Sequence, residues 1–199
     1  MSSFICSDLH LYHTNIIKYC NRPYEPDTEG TLKMNEDILK RIDVLPDDAT
    51  LWNLGDVFFG KLAAKLEFDE LHAVVTRMKG KGRTLKLILG NHDREVRRYL
   101  KAAKPYINAV SFFQDLGFDF VYDHPILIES KTTSTSLILS HEPVFLPAGT
   151  TGFINYYGHT HDKMADAASF GGARIEQSAY RNVCIDANWG WWPTGFGRY

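Results

Sequence analysis

The sequence predicts an α/β protein in which two β-sheets pack face to face with helices outside. Three observations carry that expectation. Short apolar runs alternate with helix-length amphipathic segments through the first half of the chain. The second half is a series of strand-like segments with short connections, and a change from βα units to strands suggests two stacked sheets covered by helices. Several apolar runs break at glycine into histidines, acids or asparagine, as in Leu54–Gly60, Leu87–Asp93 and Tyr156–His161. In open α/β sheets, ligands bind beyond the carboxyl ends of strands, so these breaks mark where a site is built.

The elements follow in order. Phe4–Ser7 is a short apolar strand, and Thr14 caps a helix through Cys20. Thr31–Val44 carries Leu32, Ile38, Leu39, Ile42 and Leu45 near a 3.6-residue period and reads as a helix. Thr50–Leu54 is a strand. Ala63–Lys79 is a helix with a face of Leu71, Val74, Val75 and Met78. Thr84–Leu89 is a strand, and Arg94–Ala103 is a helix that stops before Pro105. Ala109–Phe113, Phe118–Tyr122, Ile126–Glu129, Leu137–Leu139, Phe153–Tyr157 and Val183–Ile185 are expected strands. Lys131–Ser136, KTTSTS, reads as a loop. Trp189-Gly190-Trp191-Trp192-Pro193 reads as an aromatic clamp on a sheet.

The length of 199 residues suits one domain over residues 1–199. A net charge of -2 and the absence of a Lys/Arg cluster argue against a non-specific nucleic-acid surface. A nucleotide as a small substrate stays compatible. Three scattered cysteines (Cys6, Cys20, Cys184) are not a disulfide framework. The first residues lack a basic n-region, and no run reaches the ~20 apolar residues of a membrane span. The expected location is a reducing cytoplasm.

Seven candidate metal ligands each follow an apolar run: Asp8 and His10 after FICS, Asp56 after LWNLG, Asn91 after LKLILG, His141 after LILS, His159 and His161 after INYYG. All are nitrogen or oxygen donors, a set suited to Mn, Fe, Zn, Ni or Co rather than a thiolate zinc site. Seven donors are too many for one tetrahedral ion and suit two divalent ions sharing a carboxylate, with Asp56 in the middle. If its stretch stays extended, each D-x-H or H-x-H pair points to one side. Two Asp and two divalent ions leave a net charge of about +2, which attracts phosphate and lowers the pKa of bound water so that hydroxide forms near neutral pH.

The ordered pattern Asp8-Leu9-His10, Gly55-Asp56, Gly90-Asn91-His92-Asp93, His141, Gly158-His159-Thr160-His161 resembles the calcineurin-like metallophosphoesterases. His13-Thr14-Asn15-Ile16-Ile17 and Cys20-Asn21-Arg22-Pro23 look like a small bacterial and phage-type branch of that family. The resemblance implies a four-layer αββα sandwich of two mixed β-sheets flanked by helices. It implies that Asp8, His10 and His161 hold one metal, that Asn91, His141 and His159 hold the other, and that Asp56 bridges them, with manganese first among the metals. It further implies that His92 is the catalytic histidine that protonates the leaving group or steadies the transition state, and that Asp93 orients it.

Arg22 either grips a substrate phosphate bidentately or pairs with Glu25 or Asp27 on the surface. His13 either faces phosphate or makes a local loop contact. His72 and His124 carry no role, and Cys6 and Cys20 read as small apolar residues. The expected function is a metal-dependent phosphoesterase acting on a small phosphorylated substrate, a diester before a monoester. Alternatives are a non-catalytic protein-interaction module on the same fold and a nuclease; the full ligand set opposes the first and the charge opposes the second.

Overall fold

The computed structural model describes residues 2–129, 134–187 and 194–195. The strands are β1 (Ser3–Cys6), β2 (Thr50–Asn53), β3 (Thr84–Ile88), β4 (Phe120–Tyr122), β5 (Ile126–Ile128), β6 (Ser136–Ser140), β7 (Phe153–Tyr157), β8 (Tyr180–Asn182) and β9 (Thr194–Gly195). The helices are α1 (Thr14–Tyr19), α2 (Thr28–Asp43), α3 (Gly60–Ala63), α4 (Phe68–Lys79), α5 (Asn91–Arg94), α6 (Val96–Tyr99) and α7 (Ala109–Asp115).

Two mixed sheets result. One has the order β4-β3-β2-β1-β9, parallel except for the two-residue edge strand β9. The other has the order β5-β6-β7-β8, with β5 antiparallel and the rest parallel. Strand alternation sends side chains to both faces. Cys6, Leu51, Leu85 and Leu87 join the helices in one core. Ile5, Trp52, Leu54 and Ile88 meet Leu137, Leu139 and Val183 in a second core between the sheets. Each such side chain contributes about 1.5–3 kcal/mol by leaving water. The outer face of the second sheet is covered by Leu146, Ala165, Phe170 and Ala179, from loops and the 3-10 turns Ala167–Phe170 and Gln177–Ala179. No helix among the described residues is long and apolar enough to cross a membrane.

The helices dock through amphipathic faces. In α2, Asp27 accepts a hydrogen bond from Gly30 N at 2.8 Å as the N-cap, and Met34, Ile38 and Ile42 are buried at i, i+4 spacing. In α4, Glu67 and Glu70 form a reciprocal capping box over buried Leu71, Val75 and Met78.

Several elements differ from expectation. Ala109–Phe113 is helical, not a strand: Asn108 caps α7 by accepting from Ser111 N, and Ala109, Phe112 and Phe113 share the buried face. The Val183–Ile185 strand lies three residues earlier, as β8. The Ala63–Lys79 helix is broken into α3 and α4, and Arg94–Ala103 is divided among α5, α6 and the 3-10 turn Lys101–Ala103. His13, not Thr14, is the N-cap of α1, without a side-chain cap bond; the Thr14 hydroxyl accepts from Thr31 of α2. Lys131–Thr133 and Trp189–Pro193 lie outside the described residues.

Candidate metal centre

Each donor sits where a strand leaves its ladder. β1 ends at Cys6, yet the chain keeps running beside the end of β2: Asp8 N donates to Gly55 O, His10 N to Asp56 O and Leu11 N to Val57 O, each at 2.9 Å. Asn91 opens α5 after β3, His141 follows β6, and His159 and His161 follow β7. The extended i, i+2 reading does not hold. Asp8, His10, Asp56, His159 and His161 have φ of 60°, 48°, 56°, 68° and 53°. Left-handed backbone costs ~1–3 kcal/mol at a non-glycine residue and persists only where the surroundings enforce it. Here it turns successive side chains inward to one point.

All seven donors are brought together. Asp8, His10 and His161 place donor atoms within 4.8 Å of one another, as do Asp8, Asp56 and His141. Asn91 Oδ1 lies 3.0 Å from both His141 Nε2 and His159 Nδ1. Asp56 Oδ2 is central, 3.7 Å from His10 Nε2 and 3.5 Å from His141 Nε2. Bonds of about 2.0–2.2 Å to one ion put its donors roughly 3–4 Å apart, so the spacing fits. So does the state of the buried atoms. Asp8 Oδ1, His10 Nδ1 and His10 Nε2 have no hydrogen-bond partner, a costly condition that a cation relieves. Burial pushes His10 down to about 4, so its ring is neutral at pH 7. Burial likewise lowers His141. Burial raises Asp56 well above the usual carboxylate range, with Asp93 and Asp8 adding to it, so the cluster has an unmet need for positive charge.

The close approaches are built from glycine. A Cβ on Gly90 would collide with the Asp56 carboxylate, and one on Gly158 with Ser7 and Asp8.

The groups behind the donors depart most from expectation. Asp93 does not orient His92. Its carboxylate accepts Asp56 N at 2.6 Å, Gly90 N at 3.0 Å and Val57 N at 3.1 Å, tying the two ligand loops together. Burial raises its pKa to about 6. Arg22 is buried rather than on the surface. It donates to the carbonyls of Asp8 and Leu9 at 2.9 Å each, and to Asp186 at 2.7 and 3.0 Å. Asp186, absent from the sequence reading, also meets His161 Nδ1 at 2.8 Å. Burial lowers His161, but Asp186 and Cys20 outweigh it and raise the ring to about 10. With Nδ1 held by Asp186, Nε2 can take a cation in exchange for its proton, the carboxylate–histidine arrangement common behind metal ligands. The only sequence signal for Asp186 is an acid directly after the apolar run Val183–Ile185. Cys184 Sγ donates to Asp8 Oδ2 at 3.0 Å, and His141 Nδ1 meets Leu54 O at 2.7 Å.

Arg22→Ala is therefore expected to act on stability and metal affinity rather than on KM. It leaves the buried Asp186 carboxylate without its main cation, a loss of about 3–5 kcal/mol. Urea denaturation checks this, and Arg22→Lys should restore only part, because an ammonium does not reproduce the guanidinium fork. A wild-type denaturation midpoint in Arg22→Ala would refute the anchor.

His92 stands beside the donors, not among them. Its ring lies tilted by 31° over Phe59 with centroids 3.8 Å apart and meets His10 edge-on at 5.5 Å. Its backbone N donates to Asp56 Oδ1 at 3.0 Å, and Tyr99 Oη donates to its carbonyl at 2.7 Å. Phe59, rather than Asp93, holds the ring. Burial lowers its pKa. His13 is also near, 5.5 Å from the His10 ring and edge-on to Phe59 at 4.8 Å. Burial takes it down to about 3, and its Nδ1 has no hydrogen-bond partner. His72 and His124 are exposed, away from the cluster.

Comparison with known proteins bears on the family and the fold. A family model described as calcineurin-like phosphoesterase matches residues 1–167. The crystal structure of a protein of unknown function, AQ665 from Aquifex aeolicus, superposes with a TM-score of 0.58 at 24% identity, covering 94% of this chain and 91% of that one. The fold is thus shared. The uncharacterized protein MJ1445 of Methanocaldococcus jannaschii is 34% identical over 92 residues, 46% of this chain and 46% of that protein. The chain thus matches about half the length of that relative.

Proposed function

The chain belongs to the calcineurin-like phosphoesterase family, and from that premise we propose that it hydrolyses small phosphate esters, diesters in preference to monoesters, with two divalent transition-metal ions, manganese foremost. Asp8, His10 and His161 would hold one ion and Asn91, His141 and His159 the other, with Asp56 shared. When bound, the ions draw phosphate oxygens and acidify water. The observation that carries the reading is the convergence of seven nitrogen and oxygen donors around buried, unpartnered atoms of Asp8 and His10.

The chain's own residues do the rest. His92, held by Phe59 and by its backbone bond to Asp56, delivers a proton to the departing oxygen. An anionic phosphate beside the ring counters the effect of burial and favours the protonated form. Arg22, Asp93 and Asp186 fix the loops. A reducing cytoplasm suits the free thiols of Cys6, Cys20 and Cys184, and a nucleotide is one substrate of the right class.

Protein reconstituted with Mn(II) is expected to bind about two ions per chain and to turn over bis-p-nitrophenyl phosphate faster than p-nitrophenyl phosphate. Elemental analysis and the two assays check this. Saturation at one ion, or no turnover of either ester with both ions bound, refutes it.

A further inference from the structure

A cavity of about 600 Å³ opens against Phe59, the ring that neighbours His92. Two rings of its lining border the site: His13, whose centroid is 5.5 Å from that of His10, and Phe59, tilted over His92 at 3.8 Å. Tyr99, whose hydroxyl bonds the His92 carbonyl, lines it too. Lys61 and Lys65 complete the lining from α3 and the turn that continues it, where Ala64 N bonds Gly60 O and Lys65 N bonds Leu62 O. Both lysines are exposed, and neither forms an ion pair with another described residue. Like charges one turn apart repel, so this wall carries uncompensated positive charge. Gly60, at φ 94°, lets it approach His13; a Cβ there would sit 3.0 Å from the His13 ring.

We propose that this cavity binds the alcohol half of a phosphodiester, and that this half carries an aromatic ring and a second anionic group, as a nucleoside with a further phosphate does. The inference rests on the hydrolytic reading above. With phosphorus at the donors and His92 facing the leaving oxygen, the leaving alcohol extends past His92 toward Phe59 and His13, which line this space. Phe59 and Tyr99 offer faces and edges to a planar ring, and the two ammonium groups attract an anion. A second cavity, about 770 Å³ and lined by the donors His159 and His161, sets Asp162 and Asp166 against the single lysine Lys163. Those carboxylates disfavour an anionic group.

The test is calorimetric binding to Mn(II)-reconstituted protein, which needs no turnover. The probes are adenosine 3′,5′-bisphosphate, adenosine 5′-monophosphate and ribose 5-phosphate. Affinity is expected to fall in that order, with about tenfold between bisphosphate and monophosphate from two exposed charge contacts. In the Lys61→Glu/Lys65→Glu variant that gap should vanish or invert, while the preference for the monophosphate over ribose 5-phosphate and the Mn(II) stoichiometry remain as in wild type. Equal affinities for bisphosphate and monophosphate in wild type, or a gap that persists in the variant, overturn the anionic part. Equal affinities for the monophosphate and ribose 5-phosphate overturn the aromatic part. The expected binding order without turnover of any ester sinks the hydrolytic reading alone.

Discussion

Asp56→Asn is expected to remove both metal ions while leaving the fold intact. Asparagine tolerates left-handed backbone, so φ of 56° is no obstacle, and its side-chain oxygen still accepts the His92 N–H now bound by Asp56 Oδ1. What is lost is the charge between His10 and His141. The fall in affinity should exceed the roughly 10–100-fold typical of residues behind the ligands. Ion binding at a hundred times its dissociation constant stabilises a protein by about 2.7 kcal/mol, and the variant should lose that gain. With chelator the sign reverses. Burial, Asp93 and Asp8 all disfavour the Asp56 charge, so the variant should then melt at or above the wild type. Elemental analysis and paired melts with and without EDTA decide it; two ions retained at wild-type affinity would sink the bridging assignment.

His92→Ala should keep both ions and lower kcat by roughly 10²–10⁴, the usual worth of a positioned acid. No metal donor is removed, because only the backbone of His92 bonds Asp56. The loss should be small for p-nitrophenolate, which leaves without a proton, and largest for an alkyl or ribose oxygen. Asp93→Asn should not mimic it. The Asp93 carboxylate holds the N–H groups of Asp56, Val57 and Gly90, so its replacement should weaken metal affinity and stability whatever the leaving group. Comparing activated and unactivated diesters separates the roles. Equal losses on both would mean that His92 steadies phosphoryl oxygens instead, and metal loss in His92→Ala would make it a ligand.

The donor list was legible because every donor follows a strand end, and strand ends are set by runs such as Leu137–Ser140 and Phe153–Tyr157 that admit one reading. Ala109–Phe113 was misread because its aromatic pair suits a strand as well as a helix; the cap at Asn108 was the deciding signal. Val183–Ile185 is as apolar as a strand, but Cys184 leaves the second sheet to bridge Ser7, a crossing no local pattern reveals. The supporting partners were the least legible. Arg22 and Asp186 lie 164 residues apart, and a guanidinium reads as surface until a buried carboxylate is found opposite it. Asp93 sits next to His92 in sequence, yet its carboxylate faces the loop behind.

The donors come from both sheets: Asp8, His10, Asp56 and Asn91 from one, His141, His159 and His161 from the other. Under the proposed assignment neither sheet owns a complete coordination set, so the centre would work as a gauge of the gap between them. That gap is set by the side chains of Trp52, Ile88, Leu137 and Leu139, none of which is a donor. Thinning this filling lets the sheets settle toward each other, and thickening it spreads them. Either change alters the span from His141 to Asp56 before it alters any donor. On that assignment ion preference would be open to tuning from the apolar interior, with the whole donor sequence left as it stands.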